Sequence, residues 1–253
     1  MKIYLKLIVV TFLTLSTFSL FAKSDSTFIN ANKAYTQKNY TLAIQLYNEV
    51  LADGYKNADV YYNLGNAYFK NGELSKAILF YERALRLDPS NKDIQHNLAF
   101  ANQKIVDEID IIPEIFIKRW INNTIGLLSS NGWAVLSIVF LILMLSIIAL
   151  MLLSSVYRKR IILFLTAVVV FILLTVSISF SFLQYKQLIK KDEAIITQLS
   201  VAVKSMPDSS GTELFTIHEG LKVSVTDAVD TWVEIALPNG NKGWIESNAL
   251  EII

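Results

Sequence analysis

The chain has 253 residues, of which 53% are hydrophobic and only 18% charged, and its formal net charge is +1. So low a charge content points to membrane segments, and the near-neutral balance gives no reason to expect nucleic acid as a partner. Cysteine is absent and the only histidines are His96 and His218, which excludes disulfides, zinc–thiolate sites and cysteine nucleophiles and leaves little material for any metal site. The chain opens with Lys2 and Lys6, an apolar run from Leu7 to Leu20, Ala22, and then the polar Lys23-Ser24-Asp25-Ser26. A positive start, an apolar middle and a small residue before a polar stretch predict a secretory signal peptide over 1–22, with an uncleaved signal anchor as the second reading.

Residues 24–105 repeat themselves. Ala31 recurs as Gly65, Asn32 as Asn66, Ala43 as Ala77, Ile44 as Ile78 and Tyr47 as Tyr81, a spacing of about 34 residues. The stretch 58–91 has Tyr61, Leu64, Gly65 and Tyr68 on a first predicted helix and Ala77, Tyr81 and Ala84 on a second. Gly65 and Ala77 are small where two helices cross closely, the tyrosines fill the space between helices, Asn71-Gly72 makes the turn and Asp88-Pro89 ends the pair. In 24–57, Thr27 and Asn30 replace large apolar residues, Lys38 stands where the turn glycine would be, and Asp53-Gly54 replaces the closing proline. After Asn91 a further helix, Lys92–Ile105, reads as a cap over the last apolar face. The pattern resembles tetratricopeptide repeats: two units, 24–57 and 58–91, plus a capping helix.

Ile111-Ile112-Pro113 breaks the pattern. Over 114–128, Ile115, Phe116, Trp120, Ile121, Ile125 and Leu128 share one helical face, with Lys118 and Asn122 off it, which predicts an amphipathic helix at a membrane surface, or else a soluble helix packed on the repeats. Two charge-free apolar runs follow, 133–156 and 161–183, each longer than the roughly 20 residues that cross a bilayer core. Between them Tyr157-Arg158-Lys159-Arg160 reads as a loop held inside by the positive-inside rule. That places both flanking segments outside, against a weaker opposing bias from Lys118, Arg119, Lys186, Lys190 and Lys191.

The tail, 193–253, changes period. Ile195–Val203, Glu213–Ile217, Leu221–Val225, Trp232–Leu237 and Gly243–Ile245 read as strands, separated by Pro207–Gly211, His218-Glu219-Gly220 and Pro238–Asn241. Five short strands predict a small curved barrel. The run from Val201 and Val203 through Leu214-Phe215, Val223-Ser224-Val225, Trp232-Val233-Glu234-Ile235 to Gly243-Trp244-Ile245 resembles the bacterial SH3-like domain. The fold class is therefore a multi-domain membrane protein: an α-helical solenoid, a two-helix transmembrane hairpin and a small all-β SH3-like barrel.

No catalytic constellation stands out. There is no glycine-rich phosphate loop, no HExxH and no GxSxG. The acidic Asp107, Glu108 and Asp110 have too few oxygens at regular spacing for a calcium loop. No enzyme activity, cofactor or metal is expected. The surface with functional promise is the concave face of the repeats. By resemblance it exposes the rings of Phe28, Tyr35, Tyr62, Phe69 and Phe100, the amides of Asn32, Asn63 and Asn66, and the cationic or polar Lys70 and His96. Some tetratricopeptide proteins clamp a carboxylate with Lys and Arg. Asn32 and Asn63 match the two asparagine places, but Phe28, Asp93 and Asn97 stand in the cationic ones, so a more apolar or helical partner segment is favoured. Glu219, Trp232 and Trp244 form a second candidate site, for a cell-wall ligand, since bacterial SH3-like domains can bind peptidoglycan peptides.

The order of parts, from signal through repeats, amphipathic helix and two-span hairpin to SH3-like tail, resembles the BatE-like proteins of the Bacteroides aerotolerance (Bat) operon family. That resemblance implies a bacterial inner-membrane scaffold with its repeats and tail in the periplasm. It also implies partners among Bat-family membrane proteins carrying von Willebrand A domains or repeats, and a role in envelope or oxidative-stress tolerance.

Overall fold

A computed structural model describes residues 26–109 and 116–253, so the expected signal peptide lies outside the described residues. Two compact units divide the chain; the first joins the repeats to the C-terminal sheet, and the second holds the apolar helices. The repeats are α1 (26–36), α2 (Tyr40–Ala52), α3 (Ala58–Asn71), α4 (Leu74–Leu87) and α5 (Lys92–Asn102). Asn39 and Asn57 cap α2 and α3, accepting from the amides of Leu42 and Val60 at 3.2 and 2.8 Å, as polar N-cap residues do. The turn into α4 runs through Gly72 at φ 88°, while its counterpart Lys38 is forced to φ 62°. The close crossing expected at Gly65 is present. A Cβ there would sit 2.7 Å from the ring of Tyr81 and 3.3 Å from the carbonyl of Ala77.

The sheet has seven strands: β1 (Glu193–Ile196), β2 (Ser200–Lys204), β3 (Glu213–His218), β4 (Lys222–Val229), β5 (Trp232–Ala236), β6 (Lys242–Glu246) and β7 (Leu250–Ile252). Their order is β3-β2-β6-β5-β4-β1-β7, with every pairing antiparallel. Two expectations need correction. The single strand expected over Ile195–Val203 is two, because the chain breaks at Thr197, whose amide turns away to donate to Ala249 O at 2.9 Å. The barrel is also not closed: β3 and β7 are edges, each paired on one side only. At the β7 edge, no strand but a helix supplies the partner, since Arg83 of α4 donates to the Ile252 carbonyl at 2.6 Å. Covering an edge with a helix is a standard escape from strand-to-strand association. The core lies on the alternate face, where Val203, Ile217, Ile235 and Ile245 are almost wholly buried.

The repeats and the sheet dock directly. Glu251 of β7 accepts from Lys76 and from Arg83, the latter at 3.1 Å. Lys222 of β4 bridges Glu82 of α4 at 2.9 Å and Glu193 of β1 at 3.0 Å. Burial lowers the Lys222 pKa, but the two carboxylates outweigh it and the net shift is upward. Burial raises Glu251, but its two cations outweigh that and hold it below the usual carboxylate range. Beside these ion pairs, an added Cβ at Gly220 would lie 3.0 Å from Ile78 and 3.3 Å from Ile105. The segment leaving α5 also passes here. Asp107 accepts from the amide of His218 at 2.7 Å and meets its Nδ1 at 2.7 Å, and Ile109 packs on the sheet core.

The second unit contains α6 (Phe116–Ile125), α7 (Ser130–Leu153) and α8 (Tyr157–Ile189). Both α7 and α8 are long and apolar enough to cross a membrane. The residues expected as a loop, 157–160, are instead the first turn of α8, and the connection is 154–156. Three cations at a helix start oppose its macrodipole, but Arg160 offsets this by donating to Ser154 O at 2.7 Å. The helices are antiparallel and joined by small polar residues. Ser130 and Ser181 exchange hydrogen bonds with each other's carbonyls, and Ser137 meets Ser177 at 3.1 Å. Outward, the pair exposes Leu141, Ile142, Leu145, Phe164, Val169 and Phe171. On α6, Phe116, Ile117, Trp120 and Ile121 are exposed.

Candidate functional site, the repeat groove

The concave face is built on a hydrogen-bond device that occurs twice, one repeat apart. Tyr47 donates to Asn32 Oδ1 at 2.6 Å, and Tyr81 donates to Asn66 Oδ1 at 2.7 Å. Asn63 donates to the same oxygen of Asn32 at 3.3 Å, and Asn97 to that of Asn66 at 2.9 Å. Both tyrosines are almost wholly buried, and burial raises their pKa well above the ordinary phenol value. They remain donors, so each asparagine oxygen is the acceptor and its NH2 is turned away from the tyrosine. Neither amide nitrogen of Asn32 or Asn66 donates to a protein acceptor among the described residues. Asn97 spends its NH2 on Asn66 and on the Tyr62 hydroxyl at 2.9 Å, which leaves its oxygen as an acceptor. The groove thus presents oriented donors and acceptors.

Two cavities share this spine. One, of about 410 Å³, is lined by Tyr35, Tyr62, Asn66, Phe69, Lys70, Tyr81, His96, Asn97 and Phe100. The other, of about 220 Å³, is lined by Asn32, Tyr35, Thr36, Tyr47, Asn63 and Asn66. Phe69 and Phe100 face each other at 5.7 Å, and Lys104 lies over the Phe100 ring at 5.2 Å. Of the sequence candidates, Asn32, Tyr35, Tyr62, Asn63, Asn66, Phe69, Lys70, His96 and Phe100 line these cavities. Phe28 instead packs on Tyr47 at 6.0 Å. Asn97, Tyr47 and Tyr81 were not among the candidates. The signal for Asn97 was its place one period after Asn63.

The second candidate set does not gather. Ser200 pairs with His218 at one end of β2, and Lys204 with Trp244 at the other, so Glu219 and Trp244 lie at opposite ends of the ladder. Trp232 and Trp244 do share a face. Val233 and Ile245 are paired and buried, so Trp232, Glu234 and Trp244 point to the other side. Lys204 lies over the Trp232 ring at 5.7 Å.

Residues 58–91 match the tetratricopeptide repeat family, and residues 31–72 match the TPR repeat family. A stretch of 72 residues is 38% identical to Sperm-associated antigen 1 of Mus musculus, covering 28% of this chain and 8% of that protein. Another of 75 residues is 33% identical to Photosystem I assembly protein Ycf3 of Cuscuta gronovii and of Cuscuta obtusiflora, covering 28% of this chain and 45% of theirs. The match therefore spans less than half the length of these curated relatives. The Sgt2 TPR domain from Aspergillus fumigatus is 30% identical, with 32% of this chain and 54% of that chain covered and a TM-score of 0.31. Residues 31–91 are tetratricopeptide repeats.

Proposed function

We propose that the chain is a non-enzymatic, membrane-anchored scaffold whose repeats hold a protein partner by an extended segment laid along the groove. The observation that carries this reading is the doubled Tyr–Asn device, which leaves the NH2 groups of Asn32 and Asn66 and the amide oxygen of Asn97 for a ligand on residues that line the cavities. An extended backbone offers both carbonyls and amides to such groups, and the rings of Phe69 and Phe100 add apolar area at low entropic cost. The polar spine favours an extended segment over the apolar or helical one that the sequence suggested. Membrane anchoring is supported by α7 and α8, whose outward faces are apolar, and by Arg158-Lys159-Arg160 in the first turn of α8, beside the turn of the hairpin. That turn then lies in the cytoplasm, with repeats and sheet together in the periplasm of an inner membrane. The exposed apolar face of α6 would rest on the bilayer. The order of parts supports placement in a Bat-type envelope complex linked to aerotolerance, and the similar Photosystem I assembly protein Ycf3 is itself an assembly protein.

Crosslinking pull-down from native membranes tests this, comparing wild type with Asn32→Ala, Asn66→Ala and Phe69→Ala combined. Loss of specific membrane partners in the triple variant is expected; partners that persist unchanged would sink the reading. Peptidoglycan recognition by the sheet is the second reading, carried by Trp232 and Trp244, half-buried on one face of the sheet. It requires the full chain in detergent to sediment with purified peptidoglycan, and Trp244→Ala to abolish it.

A further inference from the structure

The α4 side of the repeats is already partly occupied. Helix α4 buries Ile78 as well as the residues that face α3, such as Phe80 against Tyr61 and Tyr68, and the sheet covers part of it. Glu251 on Lys76 and Arg83, and Lys222 on Glu82, join residues some 140–175 positions apart in sequence. The second grip is on the chain that leaves α5. Ile105, Asp107 and Ile109 alternate with the exposed Val106 and Glu108 along the strap that follows α5, and each meets the sheet domain: Ile105 against Gly220, Asp107 against His218, Ile109 against the core. Helix α5 is also the groove wall that supplies His96, Asn97 and Phe100. It is short, and it buries only Ile94, Leu98 and Ala101 in the array.

We propose that the α4 face and the post-α5 strap form an interaction surface whose partner is the chain's own sheet domain, and that this docking holds the α5 wall of the groove in place. The docking itself stands apart from any groove ligand, but its consequence for binding rests on the scaffold reading above. A segment that binds the ordered wall and a sheet that orders the wall are linked reciprocally, each tightening the other by the same factor. The surface also closes part of the α4 side of the repeats to outside partners.

Amide hydrogen exchange on the full chain in detergent reads the docking without needing a ligand. Glu251→Lys sets a third cation against Lys76 and Arg83, and Lys76→Glu in the same chain restores an opposite pair while leaving Arg83 on the Ile252 carbonyl. Exchange in residues 250–252 and in 92–102 is expected to rise about tenfold in the single variant and to return to wild type in the double. A rise confined to 250–252 would show the sheet released and the wall unmoved, which overturns the proposal, and so would no rise in either segment. Should the single variant fail to fold, the double is expected to fold. Its restored fold ties the failure to the charge clash, and Glu251→Gln then replaces the single variant: a rise in both segments upholds the proposal, and a rise confined to 250–252, or none, overturns it. The membrane pull-down separates the two readings. If wild type captures no groove-dependent partner, the scaffold reading falls and the exchange result still decides the docking. If it does, capture should drop about tenfold in Glu251→Lys and recover in the double variant.

Discussion

The two repeats carry the same polar device and live in different surroundings. In the first, α2 buries Ala43, Tyr47 and Val50. In the second, α4 buries Ser75 and every residue from Ala77 to Glu82, together with Ala84. The residues that make the Tyr–Asn pairs are common to both, so the groove side is a property of the repeat. Part of the extra burial of α4, at Ile78 and Glu82, comes from outside the repeat, from a sheet encoded more than a hundred residues later. The groove and the docked face are therefore under separate constraints. Substitutions at matched positions in the two repeats distinguish them.

The largest difference is expected at the helix crossing. Ala31 is fully buried and carries its Cβ without conflict, whereas a Cβ at Gly65 would drive into the ring of Tyr81. That ring is buried and tied through its hydroxyl to Asn66, so it has no free direction in which to move. Gly65→Ala should destabilise the repeats by about 1–3 kcal/mol through overpacking. Ala31→Gly should cost about 1 kcal/mol, from backbone entropy in a helix. Thermal unfolding of the full chain in detergent checks both. Equal midpoints for the two variants would mean that the crossings are alike and that the tight approach at Gly65 is not kept in solution.

Next come the hydroxyls. Tyr47→Phe and Tyr81→Phe each remove the donor that orients one asparagine and leave its oxygen with a single partner. Each should cost about 1–2 kcal/mol. Tyr81→Phe should weaken partner capture more, because Asn66 lines both cavities and Asn32 only the smaller one. Matching capture by the two variants would place the binding energy in the rings.

The docked face should answer to pH at both extremes. Glu251 is held below its unfolded value, near 4.5. Its contribution is full above that value and is lost as pH falls through the lowered folded pKa. Lys222 is held above its unfolded value, near 10.5. Its contribution is full below that value and is lost as pH rises through the raised folded pKa. Docking should be level across neutral pH and weaken at both extremes, each pair contributing about 1 kcal/mol or less because both side chains remain partly in water. Exchange in residues 250–252, corrected for the intrinsic rate, should follow that plateau. A steep change between pH 6 and 8 would mean that these two ion pairs do not govern the docking.

Much of this was legible in the chain. The spacing of Ala31 and Gly65, and of Tyr47 and Tyr81, placed the four repeat helices, because close crossings and inter-helix space each demand one residue type. The apolar runs gave α7 and α8 because length and composition suffice for such helices. The hydrogen-bond spine was half legible: Asn32, Asn63 and Asn66 were recognised, while Asn97 was passed over for standing where a cation was sought. The open sheet and the docking were not legible. Whether β7 meets β3 or Arg83 depends on a surface far away in sequence, and Glu251 and Lys222 look like any solvated charges on a strand. The break at Thr197 was hidden for a similar reason, since β-branched residues continue on both sides of it and only the pull of Ala249 turns the chain.

The smallest effect concerns the turns, and it isolates the backbone. Lys38 and Gly72 hold the same place in the two repeats, both with positive φ. Nothing lies within 4 Å of a Cβ added at Gly72, so only the conformational cost of the left-handed region acts there. That cost is about 1 kcal/mol for a side-chain-bearing residue. Gly72→Ala should therefore lose about 1 kcal/mol. Lys38→Gly should gain somewhat less, since glycine also enlarges the unfolded ensemble. The unfolding midpoint of each variant measures the two. If Lys38→Gly fails to stabilise, the lysine is contributing something in the folded state that offsets its strain, and the turn of the first repeat is more than a worn copy of the second.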